Sequence, residues 1–116
     1  MQEQKQKEKV KKDSLVWINP ETGASYHAGA AFYMEKYGFF KLILDGPKTI
    51  FYLTPYRVED KKIKYRVLAP VIIRGKISHK VEMGYGERAS GKNGDIIMTI
   101  GRYAPMRLIL KLKSEV

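Results

Sequence analysis

Cysteine is absent, which removes disulfide frameworks, zinc ribbons, iron–sulfur sites and thiol nucleophiles together and fits an intracellular setting. Long apolar runs are missing too. A stretch such as Leu68–Ile73 is broken by Pro70 and falls far short of the ~20 residues that cross a bilayer as a helix. The opening residues are polar apart from Met1 and Val10, so no secretory apolar region follows the start and a cytoplasmic protein with no membrane partner is expected. Histidine is scarce, with His27 and His79 alone, and neither has a carboxylate or second histidine at ligand spacing, so neither a metal nor a cofactor is expected. The serines lack a nucleophile-elbow context and the acids are scattered singly except Glu59-Asp60. No catalytic constellation is visible, and the expectation is that the chain is not an enzyme.

Acidic residues are missing in particular places. Between Lys61 and Lys80 there are seven Lys/Arg and no acid, and from Ile96 to Ser114 there are four and none. Overall, 22 basic residues face 12 acidic ones, a net charge of +10, which makes a polyanion the first partner to consider.

What is present is one domain's worth of chain. At 116 residues with 44% apolar content, a single core is expected, and global disorder is excluded. Residues 1–13 carry five lysines, three acids and one interior aliphatic, too little apolar surface to offset ordering, and read as a flexible charged tail. Residues 14–116 then form the domain.

From Ser14 onward the pattern has period two with glycine and proline punctuation, which predicts a mostly β protein, a small antiparallel barrel or curved sheet, OB-like in size. The run 15–19 is a first strand ending at Pro20. Residues 28–38 are the one candidate for a short helix, because Ala30, Ala31, Met34 and Tyr37 fall at helical spacing and Gly38 can cap it; a strand is the alternative. Residues 39–44 and 49–54 make a hairpin around Asp45-Gly46-Pro47-Lys48. Pro55 ends the second arm, and a further hairpin turns at 59–62. Residues 71–83 read as one long strand broken or bulged at Gly75, and 84–94, with four glycines, as a loop. Residues 96–100 and 106–112 supply the last strands around a kink at 101–105.

On these strands one face is apolar and the other basic. Ile63, Tyr65 and Val67 alternate with Lys62, Lys64 and Arg66, so the two sets point to opposite sides. Ile77, Val81 and Met83 likewise oppose Lys76 and Lys80, and the last strand sets Met106, Leu108, Leu110 and Leu112 against Arg107 and Lys111. Solvated lysines on strand faces also discourage aggregation, but repetition across three strands without counter-charge favours phosphate binding. Tyr56, Tyr85 and Tyr103 fall in predicted turns or loops next to or near arginines, where a ring can stack on an unpaired base.

The segment Gly86–Asn93 resembles a phosphate-binding P-loop but ends in Asn93 where Ser or Thr must hold magnesium, and it leads into a strand, not a helix; nucleotide hydrolysis is set aside. Its Arg88 and Lys92 still suit a looser grip on phosphates.

The function expected is binding of single-stranded DNA or RNA without sequence preference. Lys62, Lys64, Arg66, Lys76, Lys80, Arg107 and Lys111 supply the strand-face cations, and Tyr85, Arg88, Lys92, Arg102 and Tyr103 come from loops. The alternative is a structural or interaction protein, a viral or ribonucleoprotein component, using its basic face or its strand edges for protein partners or homo-oligomerisation.

Overall fold

The computed structural model describes residues 12–45, 49–88 and 94–112. Eight strands follow one another: β1 (Lys12–Ile18), β2 (Ser25–Met34), β3 (Phe39–Leu44), β4 (Thr49–Glu59), β5 (Lys62–Ile73), β6 (Lys76–Arg88), β7 (Ile96–Ile100) and β8 (Arg107–Lys111). Each pairs antiparallel with its sequence neighbour, and β8 returns to β1, closing the ring. The mostly β, barrel-type architecture expected from the alternation is therefore present. Its up-and-down order differs from the five-stranded Greek key of an OB fold.

Alternation fills the interior. Leu15, Leu42, Leu53, Val67, Met98 and Leu108 are fully buried at 0% exposure and arrive from six different strands at inward positions, so the centre is packed with side chains. The ring is uneven. β4, β5 and β6 have 11, 12 and 13 residues, whereas β7 and β8 have five each. The excess length of β5 and β6 leaves the ring as a two-stranded arm, since β4 pairs with β5 only as far as Leu68 and β7 pairs with β6 only from Gly84.

Several expectations are corrected. The candidate helix at 28–38 is β2 and the turn that follows it. Gly29 lies so close to β3 that a Cβ there would sit 2.1 Å from the Ile43 carbonyl oxygen, and Ala31 faces inward opposite Leu42. Small residues at these positions serve close strand approach, and tertiary packing overrides the helical spacing. Gly38 does terminate the segment, its N–H donating to the Met34 carbonyl at 2.8 Å with φ of 76°. The helical content among the described residues is a single 3-10 turn, Gly101–Tyr103.

Pro55 does not end β4. It pairs with Tyr65, the strand continues to Glu59, and Tyr56 is the extra residue of a bulge. Of the two alternatives at Gly75 the break is the one present: with Arg74 it makes the turn of a hairpin, the φ values of Gly75 and Arg74 being 78° and 54°. Asp60 and Lys61 make the equivalent turn between β4 and β5, with φ of 54° and 65°. Positive φ at both central residues is what lets a two-residue connection match strand twist. The predicted loop 84–94 begins later than expected, because Gly84–Arg88 belong to β6. Gly84 is needed there: a Cβ would sit 2.2 Å from the Thr99 carbonyl oxygen. Finally, β1 begins inside the expected tail, with Lys12 paired to Phe32 and Asp13 buried at 6% exposure.

Candidate nucleic-acid interface

Cross-strand partners share a face of a sheet, so the register builds the outer surface of β5 to β8 row by row. Arg66 pairs with Tyr85, Tyr85 with Thr99, and Thr99 with Arg107. These four point outward, because the alternate positions Tyr65, Val67, Met98 and Leu108 are buried. With strands about 4.8 Å apart, the row spans about 14 Å from Arg66 to Arg107. Tyr85 stands in it at 61% exposure, an aromatic ring with Arg66 next to it on one side and Thr99, then Arg107, on the other. Next to it runs a second row, Lys64, Glu87, Ile97 and Ile109. Lys62, Tyr85, Glu87, Ile97, Thr99 and Arg107 line a shallow depression of ≈ 260 Å³.

Tyr56, on the β4 bulge, extends the aromatic surface. Its ring has the Arg66 guanidinium at 4.6 Å and that of Arg57 at 5.4 Å, both within cation–π range.

The counter-charges that are missing along the chain come from the neighbouring strand. Glu87 accepts from Lys64 at 2.9 Å and lies 3.6 Å from Lys62, and Glu82 is 3.9 Å from Arg66. Lys111 reaches Asp95 at 3.4 Å. The hydrogen bond from Lys64 holds the Glu87 carboxyl below its ordinary range, and the same bond raises the Lys64 ammonium. Among the described residues, Arg107 is the cation of the central row with no carboxylate within ion-pair distance. These pairs are open to solvent at least in part, where an ion pair contributes little and yields to a competing anion.

Comparison with protein families, with curated proteins and with solved structures gives no match. The site therefore rests on its own geometry.

The remaining predicted residues fall elsewhere. Arg88 faces inward, paired with Ile63 and the fully buried Ile96. Its hydrogen bond to the Tyr65 hydroxyl opposes the burial that pushes that phenol up. Tyr103 is half-buried at the barrel mouth, edge-on to Trp17 at 5.1 Å and to Phe51 at 6.3 Å, which makes it core packing more than a platform. Arg102 is exposed, 6.0 Å from the Tyr103 ring. Lys76 and Lys80 are on the arm. Lys80 Nζ rests 4.3 Å from the Tyr52 ring centroid and 4.9 Å from that of Phe39. Lys92 lies outside the described residues.

Three features escaped the sequence reading. Thr99 and Glu87 join the site only through register, for which the sequence carries no signal. Met34, Tyr37, Phe39, Lys41, Tyr52, Ile77 and Lys80 border a groove of ≈ 320 Å³ between the arm and the barrel wall at the start of β3. His27 does have a carboxylate beside it, Asp45 at 3.0 Å, because β2 and β3 bring together residues far apart in the chain. No three metal-ligating side chains converge among the described residues, and no helix there is long and apolar enough to cross a membrane.

Proposed function

We propose that this chain binds single-stranded nucleic acid with little sequence preference through the outer face of β5–β8. The observation that carries the reading is the row Arg66, Tyr85, Thr99 and Arg107, in which an exposed ring stands between two guanidinium groups. An unpaired base stacks on Tyr85, which any base can do because every base has a π-face. The flanking arginines and Lys62 take the phosphates on either side. The Thr99 hydroxyl both donates and accepts, so it hydrogen-bonds a base edge without imposing one identity.

The carboxylates tune the grip. A phosphate approaching Lys62 and Lys64 displaces Glu87, so part of the favourable contact is offset by an ion pair already made. Weak, exchangeable binding of a strand is the consequence, in keeping with a protein that holds sequence-unspecific substrate.

The test is a shift assay with labelled single-stranded DNA, single-stranded RNA and duplex in parallel over a salt series. Single strands are expected to bind tighter than duplex of equal length. Neutralising about three phosphates predicts a slope of log K against log salt near −2 for single strands. A flat salt response or a preference for duplex overturns the reading.

A further inference from the structure

The arm offers a second surface, and it is a backbone edge. From Lys76 to Glu82 every residue of β6 is exposed, and Ile77 and Val81 expose 48% and 39% of their surface. Among the described residues, this stretch has one strand neighbour, β5, and its other edge pairs with nothing. An isolated two-stranded ribbon is marginal in water, and an open edge is a template for another strand. The two edges of the arm are not equal. That of β5 carries Pro70, which lacks an N–H and blunts pairing, while that of β6 has no proline between Lys76 and Glu82.

The sequence along the open edge, Lys-Ile-Ser-His-Lys-Val-Glu, is complementary to itself when reversed. Laid antiparallel on a second copy about His79, Lys76 faces Glu82, Ile77 faces Val81 and Ser78 faces Lys80. Opposite charge meets opposite charge, aliphatic meets aliphatic, and a hydroxyl meets an ammonium it can accept from. A shift of one residue either way sets Lys76 opposite Val81 or Met83. We infer that two copies of this chain join their β6 edges across a two-fold axis at His79, making one four-stranded sheet from two arms. Such a contact is isologous and closes on itself, so it gives a dimer and not a filament. Ser78 is the extra residue of the β6 bulge opposite the Val71 to Ile72 step, which adds local twist to the arm. The dimer does not depend on nucleic acid.

The experiment is sedimentation of the full chain, free of nucleic acid, across a concentration series at low and high salt. A dimer that persists in high salt is expected, because backbone pairing and the Ile77 and Val81 contacts are not screened. Lys76→Glu places two glutamates opposite each other twice per dimer, and Glu82→Lys does the same with lysines, so each weakens dimerisation about tenfold. Glu82→Lys also removes the 3.9 Å partner of Arg66, which makes Lys76→Glu the cleaner single change. The double variant restores the dimer, and mixing the two single variants gives a heterodimer. Because the chain has no cysteine, His79→Cys introduces its one thiol, and facing Cα atoms about 5 Å apart fall within disulfide range. Oxidation is expected to yield a covalent dimer. A protein that stays monomeric throughout, a dimer indifferent to both charge reversals, or a double variant that fails to recover would each overturn the inference. None of these outcomes bears on single-strand affinity of the monomer, so the two readings fail separately.

Discussion

Arg66 and Tyr85 are cross-strand partners on the outside of the barrel, though 18 residues separate them in the chain. That pairing sets a cation beside an exposed ring, and the first prediction isolates the ring. Tyr85→Ala should weaken single-strand binding by about 5- to 150-fold, the equivalent of a lost stacking contact, and leave the melting temperature unchanged because Tyr85 is exposed. Tyr85→Phe should bind almost as well as the parent. Tyr103→Ala is the contrast. It opens a gap beside Trp17 and Phe51 and should lower stability by about 2 kcal/mol. Measuring both affinity and unfolding for each variant separates platform from packing.

Glu87 competes with phosphate, so its removal should help binding. Glu87→Gln frees Lys62 and Lys64 from the shared carboxylate, and affinity should rise several-fold while the salt slope steepens by roughly 0.7 for each extra phosphate engaged. A variant that binds less tightly than the parent would place the strand elsewhere on the barrel.

Protonation should do what the substitution does. Glu87 has its carboxyl lowered by Lys64, so its contribution to stability is present above the unfolded value and lost as pH falls through the folded one. Over that acid range single-strand affinity should rise in the parent and stay level in Glu87→Gln, if both are followed by fluorescence anisotropy at constant ionic strength. At the alkaline end the sign reverses. Burial raises the Tyr65 phenol from its ordinary 10.0, and the stability it carries is present below that value and lost as pH climbs through the folded one. Tyr65→Phe should remove this part of the alkaline loss, read as melting temperature against pH.

Close approach of backbones makes Gly84 irreplaceable. An added Cβ would meet the Thr99 carbonyl oxygen at 2.2 Å and Ile100 Cα at 2.9 Å, atoms that cannot step aside without breaking the β6 to β7 ladder. Gly84→Ala should therefore cost several kcal/mol, at the upper end for a single substitution. Gly86→Ala should be milder, since the nearest atom is the flexible Met98 side chain at 3.0 Å. Chemical denaturation of the two variants, with circular dichroism as the readout, provides the comparison.

Alternation along 39–44, 62–67, 96–100 and 106–112 determined by itself that this is a β protein, which faces of those strands are buried, and that Lys62, Lys64, Arg66 and Arg107 point outward. These properties are local: period two fixes the side of a strand on which a residue lies, and a buried apolar set leaves its neighbours in water. Register was decided by the tertiary structure alone. It placed Tyr85 between Arg66 and Thr99, set Glu87 against Lys62 and Lys64 in a field that reads as purely cationic along the chain, and turned Arg88 inward to Tyr65. It also overrode the helical spacing at 28–38, because Gly29 and Ala31 are small for the sake of β3. Strand pairing joins residues distant in sequence through backbone hydrogen bonds common to all residue types, so a single chain's side chains carry little record of which position will stand opposite which.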